Sequence, residues 1–375
     1  MEKSFRMELA GRPLIVETGK MAKQASGAVL VRYGETVVLV TSTASKEARE
    51  GMDFFPLTVD YEEKMYAVGK MPGGFLRREG RPGNSAILNA RLIDRPIRPL
   101  FDKRCRNDIH VMATVLSVDY DNAPELCGML GASASLGISD IPWDGPIAGV
   151  RVGRIDGQFV INPTQEQLKV STLNITVAGS ETAILMVEGG AQEAPEEDVL
   201  DAIMFGHKTI KELVAFQKKI IEEVGKPKRT LIFPEIPEEI KTAIYAYAER
   251  PLKEAIFNPD KLTREAHMEE VRKEAEAHFK EIYPENGSDI AECLNHLTKE
   301  IVRHMISVDK IRPDGRALDE IRPISCEVGL LPRVHGSALF TRGQTQALTI
   351  TTLAPMSETQ IIDDLTQETE KRYIH

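Results

Sequence analysis

The chain has 375 residues, of which 42 % are hydrophobic and 28 % charged, a composition that excludes collagen-like, mucin-like and wholly disordered proteins. Its length suggests two or three domains, no apolar run approaches the roughly 18–20 residues of a membrane span, and the start lacks the apolar core of a signal peptide. We therefore expect a cytoplasmic protein without a membrane partner, whose four cysteines are reduced thiols: Cys105, Cys127, Cys293 and Cys326.

Charge is distributed unevenly along the chain. There are 47 basic and 57 acidic residues, and the net charge of −10 by itself argues against nucleic-acid binding. Residues 70–106 nevertheless contain ten bases, eight of them arginines, against three acids. Planar guanidinium groups suit phosphate, whereas a merely solubilising surface uses lysine more often. Composition alone therefore supports two alternatives equally, a phosphate or nucleic-acid surface and an arginine-rich face paired with acids.

The first 120 residues are predicted to form a sheet interrupted by one loop and one helix. β-branched runs at 28–31 and 36–41 flank a turn that contains Gly34, which predicts a hairpin. Pro96 predicts that the helix ends near Arg95. The predicted elements are paired strands within 12–43, a strand at 54–61, a Gly- and Pro-rich loop at 70–83, a helix at 84–94 and a strand at 109–118.

Two further helices are predicted before residue 230, with short strands between them over 147–188. The helix over 123–138 is rich in small residues, which allows close packing on a sheet. Pro195 and three following acids open a helix that ends at Gly225. Seven acids between Glu181 and Asp201 suggest either a metal site or complementarity to the helix dipole, and their position in the first turn favours the dipole.

Residues 236–308 change character and are predicted to be helical throughout. Apolar residues recur there at three-to-four spacing, and Thr263 is the predicted cap of the middle helix. These apolar stripes are interpreted as the core of a small helical domain.

The strand pattern returns at about residue 311 and repeats the beginning of the chain. Shifting the sequence by 309 residues aligns six identical residues in eighteen positions, among them Gly34 with Gly343 and Leu39 with Leu348. This repeat indicates a duplicated α/β unit with a helical spacer. The second copy has only about 65 residues and is interpreted as incomplete, so we expect residues 312–375 to be poorly ordered in isolation or to aggregate.

Long motifs closely resemble those of the bacterial polynucleotide phosphorylase family. They match in order and spacing along the whole chain, and they are far more specific than a short glycine pattern. The matching segments are residues 73–83 (GGFLRREGRPG), 90–101 (ARLIDRPIRPLF), 312–316 (RPDGR) and 335–346 (HGSALFTRGQTQ).

This resemblance implies a fold of the α/β (α+β) class, with a duplicated RNase PH-like core related to domain 2 of ribosomal protein S5. An all-helical domain separates the two copies. The expected divisions are a first core with its C-terminal helix at 1–230, the helical domain at 236–308 and the truncated second core at 311–375.

The resemblance also implies the function. The family is a polyribonucleotide nucleotidyltransferase, a processive 3′-to-5′ exoribonuclease that degrades mRNA. Inorganic phosphate, the co-substrate, releases nucleoside diphosphates from single-stranded RNA, and the reverse reaction polymerises them. A homotrimer, assistance by Mg²⁺ and partners in an RNA-degradation complex are expected with it.

The candidate site residues are expected to bind RNA. Phe75 beside Arg77 and Arg78, in a Gly-rich loop, combines a stacking face with charges for the RNA backbone. The family usually has a second aromatic residue where this chain has Leu76. Further residues that match family positions are Arg91, Arg95 and Arg98, for which the alternative to RNA contact is a salt bridge within the fold. Arg342, in the second-core turn, is a candidate contact with a structural role as the alternative.

The catalytic and metal-binding residues of the family, a serine pair and an Asp-Asp-Lys set, fall beyond His375, so no catalytic or metal residue is assigned in this chain. Asp363 and Asp364 are adjacent and make a poor metal pair. We expect this chain alone to be inactive while keeping its RNA-guiding residues. Alternatives are a non-catalytic RNA-binding RNase PH-like ring component, a small-molecule kinase, an acidic structural protein and a hydrolytic relative.

Overall fold

The computed structural model describes residues 2–48, 54–73, 75–231, 236–366 and 370–375; Gly74 of the resemblance motif lies outside them. The chain forms two compact units, Met1–Phe233 with Thr359–His375, and Pro234–Glu358. The three-domain division expected from the sequence stays a prediction. No helix in the described ranges is long and apolar enough to cross a membrane.

A six-stranded sheet forms one layer of the first unit. Its order is β1-β2-β3-β4-β6-β5, antiparallel except for the parallel pair β5 and β6. β1 precedes the first strand that we predicted from the sequence. The elements are β1 (Lys3–Leu9), β2 (Arg12–Thr18), β3 (Gly27–Tyr33), β4 (Thr36–Ala48), β5 (Leu57–Glu63), a 3-10 turn (Met65–Val68), α1 (Asn84–Ile97), a second 3-10 turn (Arg98–Leu100) and β6 (Asn107–Ser117).

A four-stranded antiparallel sheet of order β10-β9-β7-β8 forms a second layer of this unit. It is flanked by α2 and by α4, the longest helix. The elements are α2 (Pro124–Ile138), β7 (Ala148–Ile155), β8 (Gln158–Ile161), α3 (Gln165–Val170), β9 (Leu173–Gly179), β10 (Ile184–Ala191) and α4 (Glu196–Val224).

The small residues of α2 allow it to lie directly on the six-stranded sheet, in agreement with the predicted close packing on a sheet, and α2 also contacts β7 of the second sheet. A Cβ on Gly131 would lie 2.4 Å from Cγ2 of Val40, and a Cβ on Gly27 would lie 2.0 Å from the Ser135 carbonyl. Residues 126–138 of α2 are all buried. The main core of the first unit therefore surrounds this helix.

Two helix ends lie near the predicted positions. α1 continues through Pro96 to Ile97, two residues beyond the predicted end near Arg95, although Pro96 has no N–H to donate to the carbonyl four residues before it. At the start of α4, Asp198 lies in the acidic first turn and accepts a hydrogen bond from Arg154 at 2.5 Å.

Over the part of the second unit that the structure describes, the chain forms three α-helices and a three-stranded antiparallel sheet. Asp260 caps α6 by accepting from the Thr263 amide at 2.8 Å, so the prediction that Thr263 is the cap was wrong. A carboxylate three residues upstream reaches this amide, whereas Thr263 already lies within the helix. The elements are α5 (Glu238–Ile256), α6 (Lys261–Ile282), α7 (Gly287–Ser307), β11 (Ile324–Val328), β12 (Gly336–Arg342) and β13 (Thr345–Thr351).

The hairpin β12–β13 repeats the hairpin β3–β4 residue by residue. Leu30 pairs with Leu39 and Leu339 pairs with Leu348, so the 309-residue shift preserves strand register. The turn glycines Gly34 and Gly343 have φ of 59° and 61°. This left-handed conformation favours glycine and explains why the residue occurs in both copies. The predicted duplication is confirmed at this hairpin.

Candidate nucleic-acid interface

The Gly-rich loop (residues 70–83) exposes an apolar tip. Phe75 is 100 % exposed and Leu76 is 81 % exposed. Soluble proteins seldom expose neighbouring large apolar side chains without using them for binding. The phenyl face of Phe75 is open on every side, which is the requirement for stacking against a nucleobase.

Two arginines follow this tip and are free to bind an anion. Arg77 and Arg78 are exposed, and neither has a hydrogen-bond or ion-pair partner in the part of the chain that the structure describes. Arg77 has a φ of 47°, which is uncommon for a non-glycine residue and marks a constrained turn. The loop thus presents one stacking face next to two arginines that form no ion pair with any described residue.

The base of the Gly-rich loop is attached to the first unit by hydrogen bonds. Glu79 Oε1 accepts from the Met65 amide at 3.3 Å. Lys70 Nζ donates to the carbonyls of Asp364 and Thr366 at 3.1 and 3.5 Å. The loop is therefore anchored on both sides of its exposed tip.

A cavity of about 650 Å³ lies beneath the loop. Arg78 and Arg81 line it together with acids from β5, the loop and residues 363–364. Burial raises the pKa of Glu63, and the nearby Asp364 carboxylate raises this pKa further. The acids that line the cavity are Glu62, Glu63, Glu79, Asp363 and Asp364.

The arginines of α1 differ in what they contact. Arg91 is exposed and has no partner among the described residues, whereas Arg95 Nη1 lies 2.7 Å from Glu188 Oε2. Both side chains of the Arg95 pair are half exposed, so this ion pair is weak and open to competition by phosphate.

Arg98 is engaged in structural contacts on three sides. Its Nε and Nη2 donate to the two carboxylate oxygens of Asp94 at 2.8 and 2.6 Å. Nη2 also donates to the Leu57 carbonyl at 2.9 Å, and the guanidinium lies 5.9 Å from the centre of the Phe55 ring. Arg98 thereby connects α1 to β5, and its RNA contact stays a prediction.

A second cavity, of about 350 Å³, separates α1 from β5. Arg91 and Arg98 line it with Asp94 and Asp60. Of the two arginines, Arg98 is paired with Asp94, whereas Arg91 is paired with no described carboxylate. Arg91 is accordingly the best placed of the three α1 arginines to bind phosphate.

The structure brings the first-unit candidates onto two consecutive elements, the loop and α1. Arg342 is exposed at the end of β12 in the second unit. The sequence reasoning missed Arg81 and Lys70 as site residues, although both lie in the predicted basic segment. It also missed the approach of Asp364 to the loop, for which a sequence separation of 294 residues gives no signal.

The described residues include no group of three histidine, cysteine or acidic side chains that could hold a metal ion. Asp363 and Asp364 both line the 650 Å³ cavity without forming such a group. The described residues therefore do not fit a Mg²⁺ site.

Models of known protein families match most of the chain. The model of the 3′ exoribonuclease family, domain 1, matches residues 10–142 and 320–372, and domain 2 of that family matches residues 145–209. The RNA-binding domain of polyribonucleotide nucleotidyltransferase matches residues 239–317. The double match of domain 1 confirms the duplication. The two sheets and the basic loop thus belong to a protein of the RNase PH-like exoribonuclease class.

Similar proteins of known name identify a particular family within this class. Polyribonucleotide nucleotidyltransferases of Heliobacterium modesticaldum and Syntrophomonas wolfei are each 58 % identical to the chain, over 99 % and 100 % of its length. The enzyme of Geobacillus kaustophilus is 55 % identical over 99 %. The chain belongs to the polyribonucleotide nucleotidyltransferase family. It spans about half the length of these relatives, covering 52 %, 53 % and 52 % of them in the same order.

Proposed function

We propose that this chain guides single-stranded RNA in a phosphorolytic 3′-to-5′ exoribonuclease. The observation that carries the proposal is the exposed Phe75 beside Arg77 and Arg78, which have no partners in the described ranges. Stacking on an aromatic ring accepts any base, and arginines bind the backbone of any sequence. Both interactions suit an enzyme that moves along RNA without sequence preference.

The proposed reaction is reversible phosphorolysis. An oxygen of inorganic phosphate attacks the phosphorus that joins the 3′-terminal nucleotide to the chain. The new P–O–P linkage forms, the bond to the preceding 3′ oxygen breaks, and that oxygen takes a proton. The products are a nucleoside diphosphate and an RNA one nucleotide shorter, and the reverse reaction extends RNA. The names of the relatives support this proposal.

The cellular setting is proposed on the same basis. We propose that the protein acts in the cytoplasm on mRNA as a homotrimer, with Mg²⁺ assisting and with partners of an RNA-degradation complex. The four cysteines, all free in the structure, are compatible with a reducing compartment.

Incubation of the purified chain with polyadenylate, with and without phosphate, tests the proposal. A gel-shifted complex in both conditions supports RNA guiding, and its loss when Arg77 and Arg78 become alanine places the binding on the loop. ADP formed only with phosphate supports phosphorolysis and contradicts the expectation that the chain alone is inactive. Absence of any complex contradicts the proposal.

A further inference from the structure

The docking segment (residues 363–366) contacts the base of the Gly-rich loop although about 290 residues separate them in sequence. Leu365 is 5 % exposed and joins the hydrophobic core of the first unit, while its neighbours Asp363 and Thr366 are exposed. A single apolar side chain inserted from an otherwise polar stretch fixes the position of that stretch on the protein.

The carbonyls on either side of Leu365 both accept from Lys70. The Asp364 side chain holds the backbone that carries these carbonyls, because its Oδ1 accepts from the Thr366 amide at 2.8 Å and from the Thr366 hydroxyl at 2.6 Å. The ammonium of Lys70 thus meets two oriented acceptors, and hydrogen bonds with a charged donor are stronger than neutral ones.

The backbone of the loop also touches the docking segment. A Cβ on Gly73 would lie 2.1 Å from Asp363 Oδ2, so the Asp363 carboxylate lies directly against the Gly73 backbone and would have to turn away from a larger residue there. Lys70 and Gly73 lie five and two residues before Phe75. Both contacts therefore restrain the part of the loop that precedes its exposed tip.

We propose that Lys70 is a positioning residue, which holds the Gly-rich loop against the docking segment so that its aromatic and arginine side chains are presented together. Its ammonium is used by two carbonyls of the protein and does not touch RNA. The part of this inference that concerns RNA rests on the proposed function. The part that concerns the conformation of the loop does not.

Lys70→Met, Lys70→Arg and Leu365→Ala test the inference in the full chain, with Lys103→Met as the control for loss of one positive charge in the same basic segment. Amide hydrogen exchange of peptides within residues 66–83 reports the loop. We expect exchange there to quicken at least tenfold in Lys70→Met and Leu365→Ala, to be largely restored in Lys70→Arg and to be unchanged in Lys103→Met. Unchanged exchange in both Lys70→Met and Leu365→Ala overturns the inference.

The affinity for a labelled oligoadenylate, measured between 50 and 200 mM salt, shows whether Lys70 holds the loop or binds an RNA phosphate directly. Lys70→Met is expected to weaken binding about fivefold with an unchanged dependence of log K on log salt. A direct phosphate contact would instead lower that slope by about 0.7. Such a drop, with loop exchange unaltered, overturns the inference. If the unmodified chain binds no RNA, the proposed function fails, and hydrogen exchange alone still decides whether Lys70 holds the loop.

Discussion

Arg98 donates to both carboxylate oxygens of Asp94, one helical turn before it on α1, at 2.8 and 2.6 Å. Arg91, on the same helix, has no such partner among the described residues. Two arginines that match the same family motif thus have different roles in the structure. Arg98 connects α1 to β5, and Arg91 leaves its charge available to a ligand.

Alanine at these two arginines should therefore separate stability from binding. Arg98→Ala is expected to lower the free energy of unfolding by about 1 kcal/mol, since its ion pair is partly exposed. Arg91→Ala should change stability by less than about 0.5 kcal/mol but lower the salt dependence of RNA binding by about 0.7. Urea unfolding and fluorescence anisotropy measure the two effects. Equal destabilisation by both variants would contradict the assignment.

Phe75→Ala is expected to weaken oligoadenylate binding by about 1–3 kcal/mol, because one base loses its stacking partner. Phe75→Tyr keeps the ring and should retain most of the affinity. Neither variant should change the urea midpoint, since the side chain is 100 % exposed. Isothermal titration with a short oligoadenylate provides the measurement, and Leu76→Ala is the matched control. Full affinity in Phe75→Ala would exclude stacking at this residue.

Asp140 should make the stability of the first unit sensitive to acid. The Arg229 side chain, which donates at 2.6 and 3.2 Å, holds the pKa of Asp140 below its ordinary value of 3.8. The stabilisation is therefore complete above about pH 3.8 and disappears as the pH falls through the lowered pKa. Asp140→Asn should cost about 1 kcal/mol at pH 7 and progressively less in acid. Unfolding curves from pH 2 to 7 test this, and a constant difference would refute it.

Asp260 offers a corresponding test in the second unit. Its carboxylate accepts from the Thr263 amide and hydroxyl, which are the main causes of a pKa of about 2. The cap should stabilise α6 fully above pH 3.8 and lose its effect as the pH falls toward 2. Asp260→Ala is expected to lower Tm at pH 7, whereas Asp260→Asn retains an acceptor and should lower it less. Tm values at pH 7 that equal the Tm of the unmodified chain in both variants would show that this cap contributes nothing.

The sequence predicted those features that local patterns encode. The hairpin repeat, the small-residue helix and the Gly-rich loop each depend on neighbouring residues, and Gly34 recurs as Gly343 because both turns need a positive φ. Contacts over long separations could not be predicted in this way. Nothing near Lys70 indicates that its acceptors lie at Asp364 and Thr366.

The sequence also could not show which arginines of residues 70–106 form ion pairs within the protein and which do not. Asp94 lies three residues from Arg91, one from Arg95 and four from Arg98, so its ion-pair partner depends on helix geometry and on the position of the Leu57 carbonyl. The cap of α6 gave a comparable error, because Thr263 and Asp260 are both good capping residues and only the backbone decides between them.

The most direct test of RNA guiding by the Gly-rich loop is the salt dependence of oligoadenylate binding by the chain and by Arg77→Ala/Arg78→Ala. Lys208→Ala/Lys219→Ala, on the exposed side of α4, is the matched loss of two charges. We predict at least a tenfold loss of affinity for the arginine variant, with a slope of log K against log salt smaller by about 1.4, and little change for the control. Equal affinity of the arginine variant and the unmodified chain would contradict the account.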